Sequence, residues 1–141
     1  MTFDPARPRY TLPFAGNDYD LLGTFALIEA VEAALKRGVG TTTVEVVREM
    51  SAYDLSLLVS TLLTVSGHPT TVKEAGDAIW NEVGLTGEEA SKLRLHLYAF
   101  LSICLAPPKD REAKATEMGE LLGKLDRASP SESGSDSASA A

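Results

Sequence analysis

Few residues in this 141-residue chain are equipped for chemistry: two histidines, His68 and His96, one cysteine, Cys104, one tryptophan, Trp80, and 20 acids against 13 bases. Neither histidine stands in HExxH, CxxC or a comparable metal spacing. His68 precedes Pro69 in a loop and His96 flanks the apolar face of a helix, so both read as structural rather than as ligands or bases. Cys104, set in "FLSICLAPP", reads as a thiol buried in a helix, and a single cysteine leaves no internal disulfide. Gly38 and Gly40 in "RGVGTTT" lack the full phosphate-loop pattern and its following basic residue, and a cap and turn between two helices accounts for them. Glu88 and Glu89 fit a helix first turn, where the dipole favours acids, better than an acid/base pair. Trp80 lies at helical spacing from Ala75, Ile79 and Val83 and reads as core, with a partner anchor as the second reading. These residues lead to the expectation of a non-enzymatic protein with no metal and no cofactor.

The elements that would position these residues are bounded by composition. A chain of this length with 44% hydrophobic residues suits one domain with one core. Its formal net charge of −7 and pI near 4.8 argue against a nucleic-acid partner, because phosphate neutralisation needs a basic surface. No apolar run has the length to span a bilayer, and "MTFDPARPRY" has no apolar signal core, so the expectation is a cytoplasmic chain without a membrane partner.

Residues 1–9 read as an irregular arm, 10–105 as a helical core opened by a hairpin, 106–126 as a weakly amphipathic helix, and 127–141 as a disordered Ser/Ala-rich tail. Tyr10, Leu12 and Phe14 alternate as in a half-buried edge strand that tolerates Pro13; "AGND" reads as the turn and Tyr19–Leu22 as the return. From Thr24 the period is helical, with Phe25, Ile28, Val31 and Leu35 on one stripe and Gly38 as a stop. Hydroxyl residues with an acid three positions on predict four further starts: Thr42 with Glu45, Ser51 with Asp54, Thr71 with Glu74 and Thr86 with Glu89. Those helices would span 43–50, 52–66, 72–83 and 87–105, with Gly67 and Gly84 as caps. The fold class is therefore mainly α: five to six helices after a short N-terminal β-hairpin. On the fifth helix Ala90, Leu93, Leu97, Phe100, Leu101 and Cys104 share one face, while Leu95, Tyr98 and Leu105 lie on the other, so this helix is central or it meets a partner. The sixth, with Ala115, Met118, Leu121, Leu122 and Leu125 as its sparse apolar positions, is expected to dock weakly or to wait for a partner.

"VEAAL" at residues 31–35, "SAYDLSLLVSTLL" at 51–63 and the glycine-closed "TVSG" that follows, all after a short hairpin, resemble the small tail proteins of gene transfer agents and prophages grouped as phage tail assembly chaperones. The likeness covers about residues 8–105. It implies a non-enzymatic assembly factor of the host cytoplasm that binds the tape-measure protein, with the major tail-tube protein and further copies of itself as other partners. On that reading Leu95, Tyr98, Leu105, Met118, Leu121 and Leu122 would line the partner-binding surface. The rival readings are a structural component of the virion tail, in its tube or as an adaptor, and a small regulatory protein that binds a host factor.

Overall fold

Alternation in residues 9–22 produces strand β1 (Arg9–Phe14) and strand β2 (Asn17–Leu22), paired antiparallel with Leu12 opposite Tyr19 and Tyr10 opposite Leu21. The computed structural model describes residues 3–127, so nearly all of the tail expected to be disordered lies outside the described residues. Ala15 and Gly16 close the hairpin with φ of 51° and 85°. Positive φ at both central positions gives a two-residue turn whose twist matches the strands, so β2 begins at Asn17, earlier than the sequence reading placed it. Leu12, Phe14 and Leu21 face inward and are buried.

Six helices follow among the described residues: α1 (Phe25–Leu35), α2 (Val39–Arg48), α3 (Ala52–Val65), α4 (Val72–Ala78), α5 (Glu88–Leu105) and α6 (Arg111–Arg127). The chain is mainly α behind an N-terminal hairpin, as its periodicity indicates. Two expected caps hold: Ser51 Oγ accepts from Asp54 N–H at 3.1 Å, and Thr71 and Glu74 form a reciprocal capping box at 3.0 and 2.9 Å. Two starts move. Gly38 opens α2 instead of closing α1, which ends at Lys36 in the left-handed region with φ 60°. Thr42 therefore sits inside α2, buried, its hydroxyl donating to the Gly38 carbonyl at 3.1 Å. A threonine within a helix can satisfy its hydroxyl in this way, so the letters of a cap also fit a helix interior. Similarly Gly87, not Thr86, precedes α5.

The interior-facing stripe of α1 is Leu27, Val31 and Leu35, and Phe25 is 77% exposed rather than part of the core. Residues two apart on a helix point about 200° apart, so Phe25 and Leu27 cannot both face inward. α1 packs on α3, α3 on α4, α2 on α5 and α5 on α6. Where α3 meets α4, a Cβ on Gly76 would lie 3.3 Å from Ser56 Oγ, so small residues set a close approach. Arg37 ties three helices together, donating to Glu45 at 2.5 Å, Asp54 at 2.9 Å and the Leu35 carbonyl at 2.8 Å. The two carboxylates hold its guanidinium pKa above the ordinary value. α6 is seated more firmly than expected, because Met118 is buried with Ala99 and Ile103 in a second cluster flanked by Ala115 and Leu122.

Both histidines hold the hairpin. His68 Nε2 donates to the Asp20 carbonyl at 3.0 Å and its ring meets Tyr19 edge-on, while His96 Nδ1 shares a 2.7 Å hydrogen bond with the Tyr10 hydroxyl. Ser66 Oγ accepts from Leu22 N–H at 3.1 Å on the same outer edge of β2. Gly23 joins hairpin to helices. Its N–H donates to the Pro8 carbonyl at 2.8 Å, and an added Cβ would fall 2.8 Å from Cys104 Sγ and 2.9 Å from Pro8 Cγ. Gly23→Ala is therefore expected to cost about 1–3 kcal/mol in urea unfolding, the range for overpacking. Adding Cys104→Ala should recover part of that loss, and equal stability of Gly23→Ala and the parent would show that the close contact carries no energy.

Candidate partner-binding surface

Among the described residues no group of three or more His, Cys, Asp or Glu side chains is placed to hold a metal ion. No described helix is long and apolar enough to cross a membrane. Cys104 is half-buried, and desolvation pushes its thiol up to about 12 while Arg111 pulls more weakly the other way. Burial likewise holds the Tyr10 phenol well above its usual range. A thiol so hard to ionise is a poor nucleophile. The surface, more than any polar cleft, carries the features that ask for an explanation.

Two grooves meet at Leu105, which is 46% exposed at the end of α5. One, of about 510 Å³, lies between the N-terminal arm, the start of α1 and the end of α5, and is lined by Pro8, Phe25, Ile28, Cys104 and Leu105. Arg111 fastens the arm beside it, donating to the Pro5 carbonyl at 2.6 Å and to the Ala106 carbonyl at 3.0 Å. The other, of about 600 Å³, runs between α2, α5 and α6 and is lined by Val44, Tyr98, Ser102, Leu105 and Ala113 with Glu117 at its rim.

Of the residues expected to bind a partner, the structure brings Tyr98 and Leu105 together. Leu95 is half-buried on α5 and lines neither groove. Leu121 is exposed on α6, and Leu122 is half-buried against the second cluster. Met118 is a correction: it is buried between α5 and α6 and presents nothing to a partner. Phe25, Ile28 and Val44 are the groove residues that the periodicity had not singled out for binding, and Phe25 was legible through its conflict with the Leu27–Val31–Leu35 spacing.

A second correction concerns Trp80. The helix expected over 72–83 is α-helical to Ala78 and then widens into a π-turn, Ile79–Val83, closed by Gly84 N–H donating to the Ile79 carbonyl at 2.7 Å. Ala75 and Ile79 take the interior positions, so Trp80, about 100° further round, turns outward and is 72% exposed. Tyr53, at the start of α3, is 65% exposed.

Fold and surface thus define a small, mainly α-helical domain with apolar grooves and exposed aromatic side chains. Comparison with protein families, curated proteins and solved structures finds no match to the chain.

The raised Cys104 pKa has a testable consequence. The folded thiol ionises less readily than an unfolded one, so its stabilising contribution is complete below the ordinary 9.0 and is lost as pH rises toward about 12. At a pH of about 8 the native thiolate population should be ~1000-fold below that of a free cysteine, and alkylation by iodoacetamide correspondingly slow until urea unfolds the chain. Native alkylation at the free-cysteine rate would show an open thiol.

Proposed function

We propose that this chain is a non-enzymatic tail assembly chaperone that holds an apolar stripe of a helical tape-measure protein in the grooves on either side of Leu105. The observation that carries the protein-binding part of this reading is the Leu105 ridge itself, an apolar side chain left exposed between two grooves whose walls include Phe25, Ile28, Val44 and Tyr98. An amphipathic helix laid into an apolar groove buries residues at i, i+3, i+4 and i+7, and a long helical cargo offers such stripes repeatedly. The choice of cargo is supported by the resemblance of residues 31–35 and 51–67 to tail assembly chaperones. A shell of several copies in the host cytoplasm, handed over to tail-tube subunits, follows from that role, and an acidic exterior keeps such a complex soluble.

Co-expression with the tape-measure protein encoded nearby tests it. The expected outcome is a soluble tape-measure protein that elutes with several copies of this chain. Leu105→Asp should reduce the captured amount about tenfold or more, as for loss of an interface hot spot, with an unchanged helical circular dichroism spectrum. An insoluble tape-measure protein, together with this chain in purified particles, would sink the proposal and make the chain a virion component.

A further inference from the structure

The α3–α4 pair forms a second surface, on a different part of the molecule from the grooves at Leu105. A short connection joins the two helices, so they run antiparallel, and Ser56 meets Gly76 where they touch. Tyr53 lies one turn back from Ser56 and Trp80 one turn on from Gly76, which places both aromatic residues at the same end of the pair. Leu55 and Val59 on α3 and Ala75 and Ile79 on α4 point into the core. The exposed Tyr53 and Trp80 therefore flank the outer side of the seam, and half-buried Leu57 continues the apolar line one turn along α3 from Tyr53.

The stretch of sequence that builds this helix pair is acidic. Residues 49–83 contain five acids, Glu49, Asp54, Glu74, Asp77 and Glu82, and one base, Lys73, a net −4 out of the −7 of the whole chain. Arg37, in the turn between α1 and α2, pairs with Asp54, and Lys73 pairs with Asp77 in an exposed, weak ion pair at 3.0 Å, which leaves Glu49, Glu74 and Glu82 as the acids without a basic partner in these two pairs. Glu49 precedes the end of α3 that bears Tyr53, and Glu82 follows Trp80 in the π-turn. An exposed tryptophan and tyrosine in an acidic setting suit a partner that brings both apolar surface and cations, since ring faces and carboxylates each attract Lys and Arg. Tyrosine and tryptophan are also the side chains that most often dominate interface energetics.

We infer that the outer α3–α4 seam is a docking surface for a cationic amphipathic helix of a partner protein, with Tyr53 and Trp80 as its anchors. The inference rests on exposure and charge at this face and stands whether or not the cargo at Leu105 is a tape-measure protein. A helix as long as α3, about 21 Å at 1.5 Å per residue, would lie along the seam with apolar residues over Leu57 and the two rings and Lys or Arg toward Glu49 and Asp77.

The experiment uses the full chain and two synthetic amphipathic peptides of about 18 residues with the same leucine face, one flanked by lysines and the other by glutamates. Trp80 is the only tryptophan, so its emission reports on this surface alone. The lysine peptide should shift that emission to the blue and bind with an affinity that falls with added salt, and the glutamate peptide should bind at least ~10-fold more weakly. Anisotropy of a labelled lysine peptide should show a loss of about tenfold or more for Trp80→Ala and for Tyr53→Ala, with Leu105→Asp unchanged. Equal binding of the two peptides, no binding of either, or full binding by Trp80→Ala would overturn the inference. Lysine-peptide binding beside a failed tape-measure co-expression would leave this surface standing and remove only the tail-chaperone reading.

Discussion

An isolated two-stranded hairpin is marginal in water, and the arrangement of this domain follows from how that deficit is met. Leu12, Phe14 and Leu21 enter the same core as Leu27, Val31, Leu58, Leu97 and Phe100, so the hairpin acts as a lid on the helices. Its inward face supplies apolar burial. Its polar groups are satisfied from the helices: Ser66 and His68 take the outer edge of β2, and His96 takes the Tyr10 hydroxyl. The two histidines, the residues that most invite a catalytic reading, are used for attachment. Pro8, Gly23 and Cys104 complete the junction from the other side, in a contact too close for any side chain at residue 23.

Helix packing below the lid has two different textures. Around α3 and α5 it is large and apolar, and at the α3–α4 seam it is small and hydroxylic, with Ser56 and Ser60 buried and bonded back to carbonyls of their own helix. That bonding lets a hydroxyl line a close approach without an unsatisfied donor. Arg37 adds a polar node at the corner of α1, α2 and α3, where Glu32 Oε2 also accepts from Val39 N–H at 2.9 Å. The turn between α1 and α2 is thus fixed by side chains that reach across it.

These constraints decide which apolar residues remain outside. Once Leu27, Val31 and Leu35 fill the inner stripe of α1, Phe25 is left at the surface, and once Ala75 and Ile79 fill that of α4, so is Trp80. Exposed aromatic side chains with walls of helix around them resemble interface anchors more than residual core. The Leu105 grooves and the exposed aromatic residues of the α3–α4 pair are separate consequences of the same packing, one formed where helix ends converge and the other where two helices meet over small residues.

Local sequence pattern alone determined the helix order, the hairpin, the caps at Ser51 and Thr71 and the two-sided character of α5, because each depends on residues within a turn or two of one another. It also set Leu95, Tyr98 and Leu105 on one side of α5, since opposite faces of one helix are a local property. What it could not settle was which of several apolar residues on a broad stripe would face the core. Met118 and Trp80 each carry a side chain suited to either place, and their positions are set by the rotation of a helix against its neighbour, a matter of a few tens of degrees that no local spacing encodes. The starts of α2 and α5 escaped for a related reason: a threonine or a glycine can open, close or sit within a helix, and contacts from elsewhere in the chain, such as Glu32 on Val39 N–H, select among those roles. Tertiary packing alone decided those points, because only it determines which faces are already occupied.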